Sequence, residues 1–255
     1  MSEADFEGRT ALVTGGSRGI GRAICIRLAQ AGARIAINHS ASPADADETL
    51  RQVQAEGATG LVVQADVSDY ASTDAMFDAV EAGLGPVDML VTNAGIASFQ
   101  DDTEMPLELW NRILAVNLNG TFHCVWRAKE GMRRRGYGNI VCISSVGGLR
   151  PSQIRPDRLI AYGTSKAAVI GFARSCAAAL GPEIRVNCVA PGLIDTDMTK
   201  DMTDETRARL VAATPLKRTG RPEDVAALTH FLLSEASSFV TGQTYVTSGG
   251  AVTSP

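Results

Sequence analysis

The chain has 255 residues, 45% hydrophobic and 20% charged, with a formal net charge of −4. That balance belongs to an ordinary globular protein with a substantial core, and its mild acidity argues against a nucleic-acid or anionic-membrane partner. No apolar run is long enough to cross a bilayer, and the opening MSEADFEGRT lacks the features of a secretory signal. The five cysteines (Cys25, Cys124, Cys142, Cys176, Cys188) are scattered through apolar segments, with no CxxC or Cys/His metal spacing. They read as buried reduced thiols, so a cytoplasmic setting and no metal site are expected.

A first strand over 11–13 runs into a glycine-rich turn, TGGSRGIG at 14–21, and then a helix over 19–31. Gly15, Gly19 and Gly21 permit a tight turn and bring backbone N–H groups close to phosphate oxygens, with Ser17, Arg18 and Ile20 between them. The spacing is Gly-xxx-Gly-x-Gly rather than the better-known GxGxxG. The second strand, 34–38, leads into Asn38-His39-Ser40, and no acidic residue follows until Asp45. A carboxylate there would bind a ribose diol and repel a 2′-phosphate. Arg18, Asn38, His39 and Ser40 can donate to that phosphate instead, so NADP(H) is the expected cofactor, with NAD(H) open as the alternative. The plain reading of Arg18 is a solvated turn residue.

Further strands fall at 60–64, 89–92, 140–143, 185–190 and 245–247, and helices near 44–56, 72–83, 107–134, 160–180 and 222–234. Helix starts carry capping signals: Ser72 ahead of Asp74, and Pro222 followed by Glu223 and Asp224. The strands are continuously apolar, as burial on both faces requires. The alternation predicts an α/β fold: one domain over 1–255, a doubly wound seven-stranded parallel sheet with helices on both faces and right-handed crossovers. Ligands then sit at the carboxyl ends of the strands. Helices 107–134 and 160–180 are apolar almost all round, which fits burial against a second copy, or cover by other parts of the same chain. The polar, helix-prone segment 193–217 reads as a cover over the substrate.

Tyr162 and Lys166 lie four residues apart and share a helix face. A lysine ammonium beside a phenol lowers the phenol pKa and lets it exchange a proton near neutral pH. A nucleotide site combined with such a group suggests hydride transfer to or from a carbonyl.

These residues resemble the short-chain dehydrogenase/reductase family, in order over almost the whole chain. The match includes TGGSRGIG, Asp66-Val67, Asn93-Ala94-Gly95, Asn117, Ser145, Tyr162 with Lys166, and Pro191-Gly192 followed by Thr196. GRPEDVA at 220–226 and the TGQTYV ending are similar to the 3-oxoacyl-acyl-carrier-protein-reductase-like branch. The resemblance implies a Rossmann fold and a homotetramer. It implies Tyr162 as general acid/base, Lys166 tuning it and binding the nicotinamide ribose, Ser145 on the substrate oxygen, and Asn117 holding a relay water. Ser145 is preferred to Ser144 because Val146 follows it. Asp66 and Val67 would contact the adenine and Asn93 the ribose, with Ala94, Gly95, Pro191, Gly192 and Ile194 in the same site and Thr196 at the carboxamide. Asn117 as a structural amide and Asp66 as a turn residue are the competing readings.

The chain departs from the family pattern in several places. Ser145 and Tyr162 are seventeen apart, with extra residues in a loop at 150–158 that holds three arginines and two prolines. Ala177 stands where carrier-protein reductases often have a docking arginine, which argues against that substrate, although Arg133, Arg134 and Arg135 could supply a docking patch. Thr92 and Ser248 replace an asparagine and an aspartate common in relatives. The expected activity is hydride transfer between NADP(H) and a carbonyl or secondary alcohol: a 3-oxoacyl thioester, a sugar or polyol, or a small ketone. The alternatives are a non-catalytic NADP(H) sensor and a purely structural Rossmann module.

Overall fold

The computed structural model describes residues 5–98, 105–151, 159–200 and 202–253. Seven strands form one parallel sheet: β1 (Thr10–Val13), β2 (Arg34–His39), β3 (Gly60–Gln64), β4 (Met89–Thr92), β5 (Gly138–Ile143), β6 (Ile184–Pro191) and β7 (Thr244–Thr247). Their spatial order is β3-β2-β1-β4-β5-β6-β7. The chain builds outward from β1 through β2 to β3, then returns to β1's other side with β4. That reversal is the switch point at which α/β sheets open a crevice.

The two-sided burial expected from the apolar strands is seen residue by residue. Leu12, Ala36, Leu90, Ile140, Cys142 and Val186 enter one core, while Ala11, Val13, Ile35, Ile37, Val91, Val141 and Val189 enter the other. The first core is closed by α3 (Tyr70–Leu84), α5 (Gly120–Arg135) and α6 (Ile160–Leu180), through residues such as Phe77, Val80, Val125, Met132 and Val169. The second is closed by α1 (Gly19–Gln30), α2 (Pro43–Ala55) and α8 (Pro222–Leu233), through Ile24, Leu28, Val53, Val225 and Leu232. Alternate side chains of one strand thus serve opposite cores, and the strand amides Asn38, Asn139 and Asn187 are buried but hydrogen-bonded.

Three elements differ from the sequence expectation. The start of α3 lies two residues earlier, at Tyr70, because Asp69 is the cap: its carboxylate accepts the Ser72 N–H at 2.7 Å. The helix expected over 107–134 is α4 (Leu107–Leu114), a π-helical turn (Ala115–Asn119) and α5. The segment 193–217 contains a short turn, Asp197–Thr199, and α7 (Asp204–Ala213). The loop at 152–158 lies outside the described residues. Among the described residues, no helix is long and apolar enough to cross a membrane.

Phe77 is fully buried in the first core, with the Arg127 guanidinium 5.4 Å from its ring centroid. Phe77→Ala is expected to lower unfolding free energy by about 3–5 kcal/mol in urea denaturation.

Candidate active site

The site starts at the glycine turn, which links β1 to α1. Gly15 and Gly19 have φ of +61° and +54°, a region that favours glycine. At Gly21 the constraint is space: a Cβ there would lie 2.1 Å from the Gly15 carbonyl oxygen. Two amides hold the turn. Asn93 donates to the Thr14 and Gly15 carbonyls, both at 3.0 Å, and Asn38 accepts the Gly15 N–H at 3.2 Å while donating to Ala65 O at 3.1 Å. The Asn38 amide, buried and committed to its own backbone, is therefore not the phosphate donor the sequence suggested. His39 is buried as well, and its Nδ1 accepts the Ser42 N–H at 3.3 Å. Arg18 and Ser40 stay exposed.

A cleft of about 530 Å³ opens above the turn. Gly15, Ser17, Arg18, Gly19, Ile20, Gly21, Asn38, His39, Ser40, Asp66, Val67, Asn93, Ala94, Gly95 and Thr196 all line it. Pro191, Gly192 and Ile194 do not. Pro191 ends β6, Gly192 lines the neighbouring cavity, and Ile194 packs under Gly220. A Cβ at Gly192 would lie 2.8 Å from Ser248 Cβ, so close packing accounts for that glycine. Sequence reasoning missed Arg112, Asp197, Met198 and Lys200, which also line the cleft. Arg112 reaches it by pairing with Asp66 at 3.0 Å, a contact across 46 positions with no local signal. Asp66 is also a turn residue, accepting from the Ser68 N–H at 3.0 Å and hydroxyl at 2.7 Å. The cleft's size, the glycine turn and the N-terminus of the 12-residue α1 fit a dinucleotide, with the turn as its pyrophosphate cradle.

Tyr162 and Ser145 line a second cavity of about 520 Å³, and Ala97 and Met198 line both spaces, so the two adjoin. Ser145 caps the short turn Val146–Gly148, accepts the Gly147 N–H at 3.0 Å and hydrogen-bonds the Tyr162 side chain. Ser144 is buried instead, and its hydroxyl donates to the Lys166 carbonyl at 2.7 Å. The two serines differ in position: Ser145 faces the cavity and Ser144 holds the helix. Asn117 sits in the π-helical turn, fully buried, accepting the Ile96 N–H at 2.8 Å and donating to Ile96 O and Ser165 Oγ, both at 3.0 Å. A Cβ at Gly95 would lie 3.3 Å from Lys166 Nζ and 3.4 Å from Asn117 Oδ1, which brings these groups around one point. A π turn re-aims a helical side chain by inserting a residue, and here the side chain is Asn117.

The electrostatics depart from the simple lysine–phenol picture. Burial pushes the Tyr162 phenol above its ordinary value, opposed by the Ser145 hydrogen bond. Lys166 Nζ lies 5.8 Å from the Tyr162 ring centroid and donates to Ile143 O at 2.9 Å, and burial lowers its pKa to about 8. At the phenol, desolvation outweighs the Ser145 hydrogen bond. The phenol is held protonated, the form that donates. The cysteine thiols are inert by the same effect: burial raises the pKa of Cys25, Cys124, Cys142, Cys176 and Cys188. Among the described residues, no His/Cys/Asp/Glu cluster could hold a metal ion.

A crevice at the switch point of a doubly wound sheet defines a dinucleotide-binding α/β protein. Residues 15–252 match the family model described as enoyl-(acyl carrier protein) reductase. The chain is 37% identical to 3-oxoacyl-(acyl-carrier-protein) reductase FabG of Staphylococcus aureus, over 95% of this chain and 97% of that protein. It is 39% identical to L-rhamnose 1-dehydrogenase (NAD(P)(+)) of Azotobacter vinelandii, over 95% and 96%. A 3-oxoacyl-(acyl-carrier protein) reductase of Brucella melitensis, solved with bound NAD, superposes with a TM-score of 0.88 at 37% identity, covering 97% of this chain and 92% of that one. The chain belongs to the short-chain dehydrogenase/reductase family and stands with its 3-oxoacyl-reductase-like members. It is an NAD(P)-dependent oxidoreductase acting on CH–OH and C=O groups.

Lys166 makes one pH effect predictable. Between about pH 8 and its ordinary 10.5, the native chain holds this lysine neutral while the unfolded chain keeps the proton. The unfolded state binds more protons there, so the residue's contribution to stability rises with pH across that window. Relative to Lys166→Met, the unmodified protein is expected to gain stability between pH 7.5 and 9.5, read by urea denaturation.

Proposed function

We propose that the chain is an NADPH-preferring carbonyl reductase, reversible as an alcohol dehydrogenase, with Tyr162 as its general acid and base. The observation that carries this is the Ser145–Tyr162 pair on the wall of a cavity that adjoins the dinucleotide cleft, with Lys166 and Asn117 buried behind it. The nicotinamide, when bound, supplies or accepts the hydride. The chain's own residues do the rest. The Tyr162 hydroxyl donates its proton to the substrate oxygen in reduction and retrieves it in oxidation. The Ser145 hydroxyl donates a hydrogen bond where negative charge develops on that oxygen. Lys166, anchored on Ile143 O, would hold the nicotinamide ribose, and Asn117 beside it would link a proton path.

NADPH over NADH is supported by the end of β2. Ser40 and Arg18 are exposed there, Ser42 lines the cleft, and Asp45, the nearest acid in sequence, turns to Arg22 at 3.8 Å. For the substrate, we favour a carbonyl with an apolar body, such as a 3-oxoacyl thioester, over a polyol. The support is the cavity lining, in which Val146, Leu159, Ile160, Leu193, Met198 and Leu210 share the wall with Tyr162. Ala177 does not count against a carrier-bound substrate. It is buried in the core, with Gly242 against its Cβ, so it lies off the surface where a carrier would dock; the exposed arginine of α6 is Arg174. The test is NADPH oxidation against a panel of 3-oxoacyl thioesters, keto sugars and small ketones, with Tyr162→Phe in parallel. The expected result is turnover of the thioesters, lost by about 10²–10⁴-fold in the variant, with NADPH binding kept. Retained turnover would remove Tyr162 from its role, and NADPH binding without turnover of any substrate would favour the sensor.

We also propose a homo-oligomer, a tetramer by family likeness, in a reducing cytoplasmic setting. Phe122 and Trp126 stack at 5.2 Å on the outer face of α5, yet remain 38% and 45% exposed, with Phe172 of α6 beside them. Five free buried cysteines support the reducing compartment. Trp126→Glu is expected to shift the light-scattering mass to a smaller species, and an unmodified protein that is monomeric at micromolar concentration would remove the proposal.

A further inference from the structure

Arg18, the guanidinium at the mouth of the dinucleotide cleft, already has an anion. Its Nη1 lies 3.3 Å from Asp197 Oδ2, and both side chains are more than half exposed. Asp197 comes from the other wall of the cleft, 179 positions away, where Thr196, Asp197, Met198 and Lys200 line it. The strap is fixed at its base. Thr199 Oγ1 donates to Ile194 O at 2.8 Å, and Arg207 donates to the Thr199 carbonyl at 3.0 Å and pairs with Asp195. It is also seated on the glycine turn: a Cβ at Gly19 would lie 3.3 Å from Thr196 Cγ2. The Arg18–Asp197 pair therefore ties the two walls together across the nucleotide's path.

We infer that Asp197 is a specificity-determining residue: it competes with the 2′-phosphate of NADPH for Arg18 and so lowers the preference for NADPH that Arg18 creates. The inference rests on the reading of Arg18 as the phosphate ligand. A guanidinium has a limited set of in-plane donors, and a carboxylate and a phosphate use the same ones. A phosphate monoester carries about −1.5 to −2 at neutral pH, against −1 for a carboxylate, so it displaces Asp197 from Arg18. NADH has no group to offer Arg18 at that place and leaves the pair intact. Binding of NADPH thus releases one tie of the 196–200 strap, and binding of NADH does not. Because the pair is exposed, its effect is modest, within the range of surface ion pairs.

The test is fluorescence or calorimetric titration of the full-length protein with NADPH and NADH in four forms: unmodified, Asp197→Asn, Arg18→Ala and the double variant, each checked for folding by thermal melting. Asp197→Asn is expected to tighten NADPH about two- to fivefold and leave NADH within about 1.5-fold. Arg18→Ala is expected to weaken NADPH selectively and to abolish the gain from Asp197→Asn. If Arg18→Ala leaves NADPH binding unchanged, Arg18 is not the phosphate ligand, and the reading beneath the inference fails with it. If Arg18→Ala does weaken NADPH but Asp197→Asn alters neither cofactor, or both alike, the competition alone is refuted. A gain of equal size in the double variant would assign the effect to direct carboxylate–phosphate repulsion and overturn the competition for Arg18.

Discussion

The site depends on how α6 is fastened to the carboxyl end of β5. Two hydrogen bonds run in opposite directions between them: Lys166 Nζ donates to Ile143 O at 2.9 Å, and Ser144 Oγ donates to Lys166 O at 2.7 Å. Gly148 completes the joint, since a Cβ there would lie 2.6 Å from the Lys166 carbonyl carbon. Consecutive residues of the strand end thus take different roles. Ile143 and Ser144 hold the helix, and Ser145 is turned into the cavity beside Tyr162, one helical turn before Lys166. The same lysine anchors the helix and lies beside Asn117 at Gly95, so its position is fixed by the strand's backbone.

Burial, more than charge pairing, sets the proton chemistry of this joint. An ammonium that lowers a neighbouring phenol must itself remain charged, and desolvation at Lys166 works against that. The Tyr162 phenol is desolvated too and stays in its neutral form, while the Ser145 hydrogen bond favours its ionisation. Reduction of a carbonyl needs a donor, and a neutral phenol hydrogen-bonded to a serine is one. The reverse reaction needs the phenolate, which a more strongly charged surrounding would favour. The chain's own electrostatics therefore hold Tyr162 in its proton-donating form.

Much of this was legible in the sequence, for identifiable reasons. Short continuously apolar runs between turn signals fit strands buried on both faces, and the alternation of Leu12 and Val13 between opposite cores shows why. The glycine turn was legible because Gly21 and Gly15 are constrained by local backbone, which is a property of sequence. What failed was non-local or depended on a single inserted residue. Periodicity over 107–134 cannot register the π turn that aims Asn117, because the apolar pattern continues through it. Asn38 looked like a phosphate donor because sequence shows an amide but not that Ala65 and Gly15 consume it. Ala177 was read from its place in the pattern alone, and sequence does not show that its side chain is buried in the core.

Substrate and cofactor recognition meet on one short segment. Met198 lines both spaces, Thr196 and Asp197 face the cleft, and Thr199 and Leu210 face the cavity. Whatever moves this strap acts on both sites at once. Asp195 at its base pairs with Arg207 and accepts from Thr219 Oγ1 at 2.6 Å, and Asp197 pairs with Arg18; all of these contacts are exposed. An exposed ion pair is weak and exchanges readily with a ligand; Arg18–Asp197 is a single such pair, whereas the base has several contacts. On the competition inferred for Arg18, the contact that NADPH would release is the one at Asp197, on the nucleotide wall, and the contacts at Asp195 and Thr199 would stay in place.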